Sequence, residues 1–260
     1  MKNNKNFEKE IINRIKDISK HDELKKMSNQ WISNITKYKW AYNFSWLGRP
    51  AIQFPNDAWA MQELIWKIRP DLIIETGIAH GGSLIFSASM LALLDIIEAI
   101  DSETVFDPKK SKRKVLGVDI DIRQHNREAI EAHPMSSRIK MIQGSSIVPE
   151  VIEQVRVVAK NYQRVLVCLD SNHTHDHVLA ELEAYAPLTS VGSYCIVFDT
   201  VIEDMPKSMF FDRPWGPGNN PKTAVRKFLK TNPGFIIDKN IHNKLLITVA
   251  PDGYLKRIKK

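Results

Sequence analysis

Asp71-Leu72-Ile73-Ile74-Glu75-Thr76-Gly77-Ile78-Ala79-His80-Gly81-Gly82-Ser83 is the stretch that decides how this chain folds. An apolar run of strand length ends in an acid, passes through a glycine-punctuated turn and gives way to an apolar helical pattern from Leu84 to about Ile100. A parallel strand hands over to its crossover helix in this way. Gly77, Gly81 and Gly82 allow positive φ and let a ligand approach without meeting a Cβ. Glu75 falls at the carboxyl end of the strand, where open α/β sheets bind their ligands. Alone, the segment suits a nucleotide-like ligand and a plain tight turn about equally.

Outward from this stretch the same alternation repeats. Strands are expected at Lys114 to Asp119, Arg138 to Gln143, Arg164 to Asp170 and Gly192 to Asp199, with helices at Arg123 to His133, Ile147 to Lys160 and Thr174 to Tyr185. Repeated strand and helix specify a Rossmann-like, doubly wound parallel sheet with right-handed crossovers. A helix is expected after Pro55, capped by Asn56 or Asp57 and ending where Arg69 precedes Pro70. Pro221 to Leu229 reads as a last helix, and Phe235 to Ile237 with Lys244 to Val249 as closing strands at an antiparallel edge. Asp101 to Arg113 reads as an exposed charged loop, and Thr200 to Asn220 as a long loop without period, of the kind that is functional or disordered.

Residues 5 to 36 place apolar side chains at helical spacing and predict two amphipathic helices, a cap on the domain or a dimer contact. A homo-oligomer is the expected assembly. Trp40, Tyr42, Phe44 and Trp46 read as packing.

The chain has 260 residues, 43% of them hydrophobic, enough for one substantial core. Its 37 Lys and Arg against 30 acids give a charge of +7, but the excess lies at both ends and in the 109–114 loop. Those basic ends allow peripheral membrane contact; they form no aromatic-interleaved stripe, so no nucleic-acid partner is expected. Cys168 and Cys195 fall in buried strands as free thiols, the polar first residues lack a signal-like apolar centre, and a cytoplasmic location is expected.

Four expected strands end in acids, Glu75, Asp119, Asp170 and Asp199, which a doubly wound sheet brings to one crevice. Asp119 lies where ribose hydroxyls are bound, a place common to NAD and S-adenosylmethionine. Asp170 and Asp199 end neighbouring strands about 4.8 Å apart, close enough to share a cation such as Mg2+. His173 follows Asp170 closely enough to serve as a general base on a substrate hydroxyl. His175 and His177 read as surface residues.

An ordered set of motifs carries a family resemblance: Leu47-Gly48-Arg49-Pro50, Gln62-Glu63-Leu64-Ile65-Trp66, Ile74 to Gly77 with Gly81 to Ser83, Leu169-Asp170-Ser171 with His173, Ala184 to Leu188, Asp199-Thr200 and Trp215 to Gly218. Over roughly residues 40 to 250 the chain resembles the cephalosporin hydroxylase family, which is similar to S-adenosylmethionine-dependent O-methyltransferases acting on sugar hydroxyls. The resemblance implies a seven-stranded methyltransferase sheet, its last strand antiparallel, over residues 41–260, with residues 1–40 as an N-terminal helical extension. It implies that Glu75, Gly77, Gly81 and Ser83 bind the methionine end of S-adenosylmethionine, Asp119 the ribose, and Gln143, Gly144 and Ser145 with Ser146 the adenine edge. It also implies that Asp170 serves cofactor, catalysis and metal, that Asp199 completes the Mg2+ site, that His173 is the base and that the acceptor is a sugar or other small molecule.

The chain departs from the family in one place. Members commonly carry Glu then Asp at the end of the fifth strand; here Phe198 precedes Asp199, and since a phenyl ring cannot ligate a cation, metal binding is expected to be weakened, shifted to Thr200 or Glu203, or lost. A nicotinamide oxidoreductase shares the fold class, but GxGxxG spacing is absent. A non-catalytic partner subunit, docking through the basic N-terminus, is the other alternative.

Overall fold

The computed structural model describes residues 2–259; Met1 and Lys260, the last of the basic C-terminal run, lie outside them. The chain opens with α1 (Lys2–Ile18) and α2 (Asp22–Thr36), followed by a short hairpin of β1 (Ser45–Trp46) and β2 (Arg49–Pro50). Helix α3 (Pro55–Ile68) leads into β3 (Leu72–Thr76), α4 (Gly82–Asp101), β4 (Lys114–Asp119), α5 (Gln124–Glu131) and β5 (Ile139–Gln143). The second half runs α6 (Pro149–Ala159), β6 (Val165–Leu169), α7 (His175–Tyr185), β7 (Tyr194–Val197), α8 (Pro221–Thr231), β8 (Phe235–Ile237), α9 (Lys239–Leu245) and β9 (Tyr254–Arg257).

One seven-stranded sheet forms in the order β5-β4-β3-β6-β7-β9-β8. Its first five strands are parallel, while β9 pairs antiparallel with both β7 and β8. The strand order reverses between β3 and β6, which opens the crevice where such sheets bind ligands. Alternate residues of each strand face opposite layers. Ile73, Val115, Leu166 and Ile196 pack with α3 and α4, whereas Leu72, Ile74, Leu116, Val167 and Val197 pack with α6, α7 and α8. This two-sided burial explains why β3 reads as a continuous apolar run. Cys168 and Cys195 are buried free thiols on neighbouring strands.

By length and composition α4 could cross a membrane, with a mean hydropathy of 1.9, but half of that window is buried within the fold, as befits a crossover helix. Trp40 meets Trp31, Phe44 and Phe54 edge-on and Trp46 meets Phe86, so these aromatics pack as expected, whereas Tyr42 is exposed. Ile32 of α2 joins Phe54, Val201 and Met205 in the adjoining core.

Four expectations need correction. Helix α3 starts at Pro55, whose missing N–H suits a first turn, and Phe54 holds the cap position. Asp57 is fully buried instead, accepting hydrogen bonds from the Thr248 hydroxyl, the Val249 amide (3.0 Å) and the Tyr254 hydroxyl (2.8 Å). Those contacts explain the second correction. Lys244 to Val249 forms no strand, because Asp57 takes the Val249 amide and Pro251 has none, so pairing resumes only at Tyr254 in β9. Third, Arg113 is not exposed. It pairs with Asp95 and with Glu98 (2.8 Å), and the buried Arg138 also reaches Asp95 (2.5 Å). Fourth, the Thr200 to Asn220 segment contains two 3-10 turns, Thr200–Asp204 and Lys207–Phe210. Glu203 fastens it by accepting from the Gly218 amide (2.8 Å), Asn220 (2.5 Å) and Arg226 (3.1 Å).

Where β3 and β6 end, Gly77 takes a φ of +89°, and a Cβ there would sit 2.0 Å from the Asp170 carbonyl oxygen. Gly77→Ala is therefore expected to destabilise the fold by about 1–3 kcal/mol in urea denaturation; an unchanged midpoint would contradict the close approach. Asp57 gives a pH test. Burial pushes its carboxyl from the ordinary 3.8 up to about 6, against the three hydrogen bonds. Between those values the folded chain keeps a proton that the unfolded chain has released, so this group's contribution falls as pH rises, by on the order of 3 kcal/mol. Relative to Asp57→Asn, the wild type should lose stability between pH 4 and 7. A constant difference would refute the assignment.

Candidate active site

The turn after β3 is held from three directions. Asp119 Oδ2 accepts from the amides of Ile78 (2.7 Å) and Ala79 (3.2 Å), while its Oδ1 accepts from Asp121 N (3.1 Å). Arg49 donates through Nη2 (2.6 Å) and Nε (3.0 Å) to the His80 carbonyl and through Nη2 to Asn126 Oδ1 (3.0 Å). Asn126 in turn donates to the Ala79 carbonyl (3.0 Å). With its amides and carbonyls engaged, the loop borders a slot lined by Gln53, Gly77, Ser83, Asp119, Asp170 and Ser171. Gly82 permits this packing, since a Cβ there would lie 2.2 Å from the Pro50 carbonyl oxygen.

A smaller recess alongside is lined by Gln53, Glu75, Ser83, Ser87, Asp170 and Phe198. Glu75 is buried and accepts from Ser87 Oγ at 2.5 Å. Burial pushes its carboxyl up, and hydrogen bonds from Ser87 and Ser83 oppose the shift.

Asp170, His173 and Asp199 present ligand atoms that all lie within 4.8 Å of one another. His173 Nε2 stands 3.1 Å from Asp199 Oδ2, and the ring meets Trp215 edge-on at 4.8 Å. Burial, then the neighbouring carboxylates led by Asp199, holds the Asp170 carboxyl well above the usual range. Crowded acids with an imidazole beside them are a donor set that a divalent cation relieves, and two carboxylates suit Mg2+.

Phe198 is buried and supplies no donor. The expected replacements do not serve either: Thr200 Oγ1 donates to the Pro251 carbonyl (2.7 Å), and Glu203 is committed to Gly218, Asn220 and Arg226. His173 occupies the third place of the cluster.

The four acids thus divide. Asp119 and Asp170 border the slot, Glu75 and Asp170 the recess, and Asp199 reaches Asp170 through the cluster. Gly77 and Ser83 line both cavities, while Gly81 adopts a φ of +81° at the start of α4. Gln143, Gly144 and Ser145 stand outside both linings, and Gln143 instead accepts from Arg127 (3.1 Å).

His175 and His177, expected at the surface, are partly buried and hydrogen-bonded. His175 Nδ1 meets Thr223 Oγ1 at 2.8 Å, and His177 Nε2 lies 3.1 Å from Ser146 Oγ and 3.2 Å from Ser171 Oγ. Sequence reasoning also missed Gln53, Asn126 and Glu181, polar residues on otherwise ordinary helix and loop patterns. Arg49 was visible only as part of a motif.

Comparison with known proteins agrees with this architecture. The model of the family described as Rhamnosyl O-methyltransferase/CmcI matches residues 38–258. Proteins named rhamnosyl O-methyltransferase from Mycobacterium tuberculosis and Mycobacterium leprae are similar at 29% identity over 231 residues and 28% over 228. Those alignments cover 85% of this chain and 83% and 88% of the relatives. Among solved structures, a CmcI described with Mg and SAM superposes with a TM-score of 0.55 at 17% identity, covering 84% of this chain and 78% of that one. CalS11, described as a TDP-rhamnose 3'-O-methyltransferase, gives 0.50 at 19%, covering 78% and 79%. These structures share the fold. With the family match spanning residues 38–258, the chain belongs to the Rhamnosyl O-methyltransferase/CmcI family.

Proposed function

We propose that this chain transfers the methyl group of S-adenosylmethionine to a hydroxyl oxygen of a sugar, of the deoxyhexose class that rhamnose represents. The observation that carries the reading is the juxtaposition of the glycine-loop slot with the Asp170, His173 and Asp199 cluster, joined at Asp170. The named activities of its relatives supply the substrate class.

In this reading the Gly77 to Ser83 turn carries the methionine end of the donor, and Asp119 faces the ribose from the end of β4. Asp119 Oδ2 holds the loop amides, which leaves Oδ1, engaged by one amide, for a ribose hydroxyl. Asp170 and Asp199 would hold a divalent cation, Mg2+ by donor type, which would supply a lowered pKa for an acceptor hydroxyl. Asp199 Oδ2 lies 3.1 Å from His173 Nε2 and can position the ring, which leaves the other carboxylate oxygen available to a cation. His173 then takes the hydroxyl proton as the acceptor oxygen attacks the sulfonium methyl carbon; the carbon–sulfur bond breaks and S-adenosylhomocysteine leaves. Holding donor and acceptor in line supplies up to about 7–11 kcal/mol of the barrier reduction. Trp215 packs on the His173 ring, so the fastened 200–220 segment borders the acceptor side.

Incubation with S-adenosylmethionine and a rhamnosyl or nucleotide-linked rhamnose acceptor should yield a product one methylene heavier together with S-adenosylhomocysteine, read by mass spectrometry. Tight NAD binding with no transfer to any deoxyhexose would overturn the reading. Asp170→Ala should abolish turnover and change S-adenosylhomocysteine affinity by less than about threefold, and His173→Ala should slow turnover roughly 10²–10⁴-fold. Full activity in EDTA would remove the cation from the account and leave the His173 and Asp199 pair.

A further inference from the structure

Helix α4 presents a second stripe on the side away from the sheet, and the fold covers only half of it. Phe86, Ser89, Leu93, Ile96 and Ile100 follow one another at spacings of three, four, three and four residues, which aligns them along one side of the helix. The β1–β2 hairpin covers the first two: the Trp46 ring meets Phe86 edge-on at 4.8 Å, and Trp46 Nε1 donates to Ser89 Oγ (2.9 Å). The last three are bare, with Leu93 48%, Ile96 40% and Ile100 69% exposed. Helix α3 packs in the same layer and exposes Trp59 and Trp66, two turns apart on its own outer side.

The bare stripe carries no charge. Asp95 and Glu98, the acids of this part of α4, point to its other side, where Asp95 pairs with Arg113 and Arg138 (2.5 Å) and Glu98 with Arg113 (2.8 Å) and Arg69 (3.2 Å). No Lys or Arg occurs in Gly82–Asp101, so an anionic lipid surface or a nucleic acid would find no cation on this helix. Ala92, Ile97 and Ala99 flank the stripe and let another helix approach closely. Leu93, Ile96 and Ile100 with Trp59 and Trp66 expose on the order of 500 Å2 of apolar side chain, the upper range of what a monomer leaves bare. Two such patches face to face bury about 1,000 Å2, the size at which a specific interface begins, and the flanking residues add to it.

We infer that this chain forms an isologous dimer in which the outer side of α4 packs antiparallel on the α4 of a second copy. A two-fold axis near Ile96 brings that side chain against its own counterpart and sets Leu93 opposite Ile100 across the axis. The three-four spacing interdigitates in such a pairing, and the antiparallel helix dipoles oppose each other favourably. Self-pairing meets no like charge, because the acids of α4 are already engaged by arginines of the same chain. The contact thus falls on α4, while α2, whose Ile32 packs with Phe54, is a cap on the domain. None of this depends on the methyl-transfer reading.

Analytical ultracentrifugation of the full chain tests the inference. The wild type should sediment with an even number of chains at micromolar concentration. Ile96→Glu puts its charge at a place open to solvent in the single chain, and it should halve that number and weaken self-association about thirtyfold or more. Ile96→Cys should cross-link to a covalent dimer with a short bismaleimide, since both native cysteines are buried, whereas Val157→Cys, exposed on α6 across the sheet, should not. The cysteine variants cover the case in which Ile96→Glu folds poorly. A monomeric wild type, an unchanged assembly in a folded Ile96→Glu, or cross-linking no faster through Ile96→Cys than through Val157→Cys would overturn the inference. Binding of a monomeric wild type to phosphatidylserine vesicles, lost in Ile96→Glu, would overturn it in favour of a lipid contact.

Discussion

The main chains of Gly77 and Asp170 touch where β3 and β6 leave the sheet, and the site depends on that contact. The Asp170 amide donates to the Thr76 carbonyl (3.0 Å), and the Gly77 amide to the Val118 carbonyl (2.8 Å), so three strand ends are tied within a few residues. Only a residue without a Cβ fits between them. The consequence is that the loop after β3 and the carboxyl after β6 border one slot at the point where the strand order reverses.

Concentrating acids at one sheet edge creates an electrostatic problem, and the fold resolves it residue by residue. Asp119 is satisfied by backbone amides, Glu75 by serine hydroxyls, and Asp57 by Thr248, Val249 and Tyr254. Asp170 and Asp199 are treated differently: they confront each other with an imidazole as the third member of the cluster. Only these two carboxylates, among the acids at this edge, lie close enough to each other and to an imidazole to share one cation, which is why this pair is where a cation and a proton acceptor would act. Asp57 extends the arrangement, because the 248–253 segment it holds also accepts from Val197, Thr200 and Val201 around Asp199.

Strand termini and their acids were legible in the sequence because a parallel strand buried on both faces leaves an uninterrupted apolar run that stops at the first polar residue. The glycine turn was legible for a similar reason, since its spacing reflects close backbone approach. Local patterns misled where long-range partners decide. Asp57 looks like a helix cap until Thr248 and Tyr254 arrive from the far end of the chain, and that same contact stops Lys244 to Val249 from pairing as a strand. Lys256 and Arg257 read as a basic tail although they lie in β9 at the antiparallel edge. His177 and Glu181, four apart on α7, carry no pattern that separates them from an ordinary amphipathic helix, and their meaning comes from serines 31 to 35 and 6 to 10 residues away in sequence.

A crystal structure of the chain with S-adenosylhomocysteine and Mn2+, with the ion located by anomalous scattering, tests the central claim most directly. The account predicts ribose hydroxyls at Asp119, the homocysteine along Gly77 to Ser83, and the ion on Asp170 and Asp199. A nucleoside bound away from the glycine turn, or an anomalous peak that avoids both aspartates, would contradict it.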